Sequence, residues 1–180
     1  MRTLTIVVVT YLTAVVVSAV WRSLPVAVIS DYPPALGALL AGYLGLTARQ
    51  SLAPAMAAAA LVGYVLDIVG GTPAGYTALV LVLVCLLAFA TQRRLVVRGT
   101  PLTLAFSAAM GASASFLGWM VRLAHGMSHG AAAQELVAIL LIAATTAIAG
   151  PPIFRVFRRI EAMFARTQRE REAALEGLAP

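Results

Sequence analysis

Apolar residues fill six stretches of the chain, and short breaks rich in glycine, proline or charged residues separate these stretches. Each stretch contains at most one charged side chain, which is typical of helices that lie in lipid. About 20 apolar residues in a helix are enough to cross the hydrocarbon core of a bilayer. The pattern predicts an all-α integral membrane protein with six transmembrane helices, at residues 4–21, 35–46, 52–69, 75–91, 101–121 and 131–150.

The breaks between the stretches carry residues that stop helices. The second predicted span is the shortest, and it crosses fully only if residues near Ile29 extend it. The third span runs into a glycine pair at 70–71 with Pro73 close behind, which predicts a sharp turn. Pro151–Pro152 are expected to close or kink the sixth span, because proline has no backbone N–H to donate to the hydrogen bonds of the helix.

Residues 155–180 form a charged tail, so the sequence divides into a transmembrane domain at 1–154 and a cytoplasmic tail. Apolar side chains at the start of the tail recur with helical period, and charged side chains occupy the other face. We therefore predict a C-terminal amphipathic helix that lies on anionic lipids as far as Arg166; continuation of the sixth span into solvent is the alternative. The arginines assigned to the lipid surface are Arg155, Arg158, Arg159 and Arg166.

Composition agrees with a membrane protein, since 61% of the residues are hydrophobic and 11% are charged, whereas soluble domains carry about 25% charge. The formal net charge is +6, but the basic residues form no stripe interleaved with aromatics, so nucleic acid is not an expected partner. With six spans, eleven of the thirteen arginines fall on the side that holds both termini. Positively charged loops stay inside the cell, so both termini are predicted to be cytoplasmic.

The first apolar stretch has a second interpretation as a signal peptide. Arg2 would be a minimal basic region, and Val17 and Ala19 would form a small-residue cleavage site. The apolar stretch continues through Val20, however, and the remainder of the chain is itself rich in apolar spans. A retained first helix is therefore the prediction.

Few residues in the sequence are suited to covalent or metal chemistry. Cys85 stands alone within an apolar stretch, which leaves no disulfide framework and no thiolate cluster. His125 and His129 are four residues apart, a spacing found in metal sites, but two ligands do not make a site. The sequence also lacks a zinc-protease motif and a phosphate-binding loop. We expect no enzymatic activity, no metal and no cofactor.

Small residues repeat every four positions on three of the predicted helices. Spacing of four places them on one helix face, and small faces let helix backbones approach closely in lipid. Packing within the protein is the first interpretation, and docking of a foreign transmembrane helix is the second. The residues that form these faces are Gly37, Ala41, Gly45, Ala55, Ala59, Ser107, Gly111 and Ser115.

The segment at residues 63–75 combines a carboxylate with a glycine- and proline-rich turn. Asp67 lies near the end of the third span, where an ionised carboxylate is costly unless it is paired or reaches the interface. It is predicted either to accept hydrogen bonds from the turn or to help form a docking surface, and the two roles are compatible. The residues assigned to this turn are Gly63, Asp67, Gly70, Gly71, Pro73 and Gly75.

A helix that ends in Gly-x-x-x-Asp, followed by a glycine/proline break and another apolar helix, resembles the rod shape-determining protein MreD family of bacteria. The resemblance covers most of residues 30–100. It implies a multi-pass protein of the bacterial inner membrane that acts as a non-enzymatic scaffold in the cell-elongation complex. It also implies an MreC-like single-pass partner, together with MreB, RodA and a penicillin-binding transpeptidase, in support of peptidoglycan synthesis and rod shape.

A carrier of small molecules is the alternative function. Substrate-binding subunits of vitamin importers are similar to MreD in helix number, and the resemblance extends to them. A carrier needs a cavity lined with polar groups and oriented helix ends. The predicted spans offer mainly hydroxyl groups for this purpose and no cation within the membrane, so the scaffold is the favoured prediction.

Overall fold

The computed structural model describes residues 32–48, 51–92, 99–127 and 130–176. This part of the chain is helical and contains no β-strand. The predicted first span at residues 4–21 lies outside it. The helices are α1 (Leu36–Thr47), α2 (Ala53–Gly70), α3 (Tyr76–Gln92), α4 (Thr100–Ala124) and α5 (Ala132–Glu176).

Three of these helices are long and apolar enough to cross a membrane: α2, α4 and the Ala132–Met163 part of α5. The other two are apolar but shorter, with 12 residues in α1 and 17 in α3. A helix rises about 1.5 Å per residue, so α1 is about 18 Å long and cannot cross a hydrocarbon core of about 30 Å. The structure therefore supports an all-α membrane protein and three spans, while the number six receives no support from helix length.

The short helix α1 occupies the centre of the bundle. Nine of its residues are buried, and Leu39, Leu40 and Ala41 have no exposed surface. A helix that is apolar on all sides must be kept from water, either by lipid or by other helices, and here other helices cover it. It packs against each of the other four helices, and most extensively against α3.

Small residues mark the closest approaches between helices. A methyl group on Gly111 of α4 would lie 2.7 Å from Thr146 Oγ1 of α5. On α1, Gly45 lies against the backbone at Cys85 of α3, and Gly37 lies between the side chains of Leu66 and Leu81. The buried surfaces of the bundle also include Ala41, Ala55, Ala59 and Ser107, while Ser115 is partly exposed.

Helix α5 continues without interruption through Pro151–Pro152 for 45 residues. The expected closure of the helix at these prolines is wrong, because the residues that follow pack onto the bundle. Phe154 and Phe157 are buried, and their ring centroids lie 5.5 and 5.0 Å from that of Tyr43 on α1. The Tyr43 hydroxyl also donates a hydrogen bond to the carboxylate of Glu161.

The beginning of the predicted tail is thus part of the helical bundle. Phe157 belongs to the apolar side chains at the start of the tail, which were expected to lie on lipid, yet it is only 2% exposed, whereas Met163 is 69% exposed. Arg155, Arg158 and Arg159 are exposed, as expected for the charged face. Arg166 falls beyond the residues whose side chains the structure describes.

Candidate functional site at the Asp67 end of the bundle

Helices α2 and α3 meet in a tight turn, which we call the Asp67 corner (residues 67–78). Gly71 ends α2 in the left-handed conformation with φ 66°, and Gly75 also has a positive φ of 92°. Backbone N–H groups of Gly71 and Thr72 both donate to the carbonyl oxygen of Asp67. A residue with a Cβ atom is strained in this conformation, so the glycines allow the chain to reverse here.

The Asp67 side chain caps the beginning of α3. It is 1% exposed and accepts the Thr72 hydroxyl at 2.6 Å, the Gly75 N–H at 3.0 Å and the Thr77 N–H at 2.9 Å. The first N–H groups of a helix have no partner within the helix, and the helix dipole favours a negative charge at this end. The carboxylate supplies the missing acceptors for a helix start that lies in an apolar environment.

The other predicted turn residues support the same arrangement. Gly63 lies one turn before Asp67 against the backbone of Thr77 and Ala78, so α2 and α3 are in direct backbone contact. Pro73 is exposed, and its carbonyl accepts the Tyr76 N–H at 3.1 Å. Gly70 differs from its neighbour Gly71, because it is helical and a methyl group there would come no closer than 4.0 Å to another atom.

Next to this corner, α2 presents an exposed apolar surface, which we call the α2 face. Its members recur at intervals of three and four residues and therefore lie on one side of the helix. Their exposed fractions range from 39% to 65%. The α2 face consists of Leu61, Tyr64, Val65, Ile68 and Val69.

A second corner joins α4 to α5 at the same end of the bundle. Arg122 on α4 donates to Glu135 on α5 at 2.7 Å, and the Gly130 N–H donates to the other oxygen of Glu135 at 3.2 Å. The Arg122 Nε atom is buried and has no hydrogen-bond partner within the described part of the chain. This ion pair fixes the distance between the two helix ends.

The structure describes one of the two histidines next to this corner. His125 is exposed, and its Nδ1 lies 2.9 Å from the Val121 carbonyl oxygen, while His129 lies outside the described residues. Among the residues that the structure describes, no three histidine, cysteine or acidic side chains come together as metal ligands.

Two adjoining cavities lie between the two corners, each partly open to the outside and with a volume of about 400 Å³; we call them chambers. The apolar chamber is lined by the beginning of α1, and the polar chamber lies beside the Arg122–Glu135 pair. Tyr76 extends from α3 towards α4 at the boundary of the two chambers. Its hydroxyl lies so close to Gly118 that a methyl group on this glycine would be 2.7 Å from it. The residues that line both chambers are Tyr76, Ala114, Ser115, Gly118 and Ile142.

Sequence reasoning identified Asp67 and its glycines but missed most of the residues around them. Thr72 and Thr77 complete the Asp67 cap, and a signal for Thr72 was its place directly after the glycine pair. Opposite charges on the two sides of a short connection could have indicated the Arg122–Glu135 pair. No sequence pattern indicated the Tyr76 contact or the chambers.

In comparisons with known proteins, no family model, no curated protein and no solved structure matches the chain.

Proposed function

We propose that the protein is a non-enzymatic scaffold of the bacterial inner membrane that holds an MreC-like single-pass partner within the cell-elongation complex. The resemblance of residues 63–75 to the MreD family supports this proposal. Through that partner the scaffold contributes to peptidoglycan synthesis and rod shape, together with MreB, RodA and the penicillin-binding transpeptidase. The protein itself performs no chemistry in this role.

The observation that carries the proposal is the hydrogen-bonded Asp67 corner beside the exposed α2 face. Protein donors surround the Asp67 carboxylate, so its role is to hold backbone in place. The rigid corner presents Ile68 and Val69, which are 65% and 62% exposed, at a fixed position. A preorganised apolar surface binds a partner helix with a smaller loss of conformational entropy than a mobile one.

Co-purification of the MreC-like partner tests the α2 face directly. The variant Leu61→Ala with Ile68→Ala removes two side chains that are 63% and 65% exposed on α2. A matched control, Leu140→Ala with Ile148→Ala, removes two side chains that are 62% and 71% exposed on α5. We expect the first variant to retain less than a tenth of the partner and the control to retain all of it, at equal amounts of the protein in the membrane.

Two results would count against the proposal. Full retention of the partner by the α2 variant means that this surface is not the docking site. Equal loss from both variants means that apolar bulk in general, and not the α2 face, determines the interaction.

A further inference from the structure

The apolar chamber exists because α1 begins part of the way along the bundle. The Ala35 N–H, just before α1, donates to Thr146 Oγ1 at 3.0 Å, and Ile142 lies one turn earlier on α5. The apolar chamber lies here, between the beginning of α1 and helices α2, α3, α4 and α5. Its walls include Leu36, Leu66, Val80, Leu81 and Ile142.

The size and lining of this space match those of a ligand site. Pockets for small molecules usually measure about 300–1,000 Å³, with mostly apolar walls and a few polar groups that orient the ligand. The apolar chamber measures about 400 Å³, and it adjoins a polar chamber of similar volume. The polar groups there come from Tyr32, Tyr76, Arg122, Gln134 and Glu135.

The charges of the polar chamber restrict the head group that it can accept. Arg122 and Glu135 are the two charged residues among its described lining. They form an ion pair at 2.7 Å, and their opposite charges cancel. A charged head is attracted by one member of this pair and repelled by the other, so the pair offers no net attraction to offset the loss of the head's hydration. The chamber lining also offers polar side chains at Tyr76, Ser115 and Gln134. An uncharged head with a carbonyl or hydroxyl oxygen avoids the loss of charge hydration and can hydrogen-bond to these groups.

We propose that the two chambers together bind an uncharged single-chain amphiphile, with its chain in the apolar chamber and an oxygen-bearing head beside Arg122. This site goes beyond the scaffold function and does not depend on it. Ser115, which lines both chambers, offers a hydroxyl at the boundary between the chain and the head.

Competition against a photoreactive probe tests the head-group preference. The purified full-length protein in lipid nanodiscs is labelled with a decanoylglycerol that carries a diazirine in its chain. The competitors are unlabelled 1-decanoylglycerol, decanesulfonate and decyltrimethylammonium, which share a ten-carbon chain and differ in charge. We expect the neutral compound to compete at a concentration at least tenfold lower than either charged one. Equal competition by all three, or labelling that does not saturate, would overturn the proposal.

A bulky substitution locates the site within the structure. Ala114 lines both chambers, so Ala114→Phe is expected to reduce saturable labelling at least tenfold. The matched control is Ala144→Phe, which places the same side chain at an exposed position of α5. Equal labelling of both variants at equal protein levels would place the probe outside the chambers and overturn the assignment.

A change of charge provides a second test that does not alter the shape of the chambers. Glu135→Gln removes the negative partner of Arg122 while keeping nearly the same side-chain volume. The chamber then carries a net positive charge, and we expect decanesulfonate to become the strongest of the three competitors. An unchanged order of preference would show that Arg122 and Glu135 do not select the head group.

Discussion

The Asp67 corner and the Arg122–Glu135 corner lie at the same end of the bundle, and each uses one carboxylate to join two helices. Asp67 is 1% exposed and is surrounded by donors from Thr72, Gly75 and Thr77. The Glu135 side chain is 15% exposed and pairs with an arginine that is 34% exposed. The first carboxylate fixes the backbone of its corner, whereas the second pairs with a side chain, and both members of that pair line a chamber.

The physical consequence is a difference in what each carboxylate contributes to stability. A buried donor that loses its acceptor costs about 1–3 kcal/mol, because neither water nor lipid replaces the lost bond. An ion pair that remains accessible to solvent contributes about 0–1 kcal/mol. The Asp67 corner is therefore expected to contribute more to stability than the Arg122–Glu135 corner, whose side chains line a chamber.

The largest expected effect concerns topology, since corners at the same end of the bundle should face the same side of the membrane. A reporter that is active only outside the cytoplasm should be active when it is fused after Gly71 or after Gly126, and inactive after Pro180. The arginine distribution predicts this result. Activity at only one of the two corners would mean that the corners lie on opposite sides of the membrane. Activity after Pro180 would contradict the predicted position of the C-terminus.

Loss of the Asp67 acceptors should produce the largest change in stability. Asp67→Leu leaves the Thr72, Gly75 and Thr77 donors without partners, and we expect it to destabilise the protein by about 3–5 kcal/mol. Asp67→Asn retains one carbonyl oxygen and should cost about 1–2 kcal/mol. Unfolding of the purified protein in detergent, followed by circular dichroism, measures both. Similar values for the two variants would mean that the acceptors are not what stabilises the corner.

The two adjacent glycines provide a sharper comparison within the same corner. Gly71→Val places a β-branched residue at φ 66° and should cost about 1–3 kcal/mol. Gly70→Val is the matched control, because Gly70 is helical and open, and its expected cost is below about 1 kcal/mol. The same unfolding measurement applies to both. If the two substitutions have equal effects, the left-handed turn is not important for the stability of the corner.

The smallest expected effect belongs to the second corner. Glu135→Gln should destabilise the protein by less than about 1 kcal/mol, and this loss should shrink further at high salt. The effect of Asp67→Leu should not respond to salt, because hydrogen bonds to a buried backbone are not screened. A salt-dependent effect at Asp67, or a loss above about 3 kcal/mol at Glu135, would remove the distinction between the corners.

The limits of sequence reasoning are visible in particular helices. The glycines and Pro73 placed the end of α2 and the beginning of α3 within one residue of the structure, because these residues stop a helix locally. The limits of the apolar stretches placed the other two ends equally well. The prolines at 151–152 suggested a similar stop but did not cause one. Contacts of Phe154 and Phe157 with Tyr43 hold the continuing helix on the bundle, and no local pattern reveals such contacts.

The sequence by itself predicted an all-α protein with apolar helices and drew attention to Asp67, because composition, periodicity and a carboxylate within an apolar stretch are local properties. Tertiary structure alone decided which donors surround Asp67, how Arg122 meets Glu135, and where α1 begins relative to α5. These relations join residues that are distant in the chain, such as Ala35 and Thr146. The chambers arise from these relations, since they are the space that remains when helices of unequal length pack side by side.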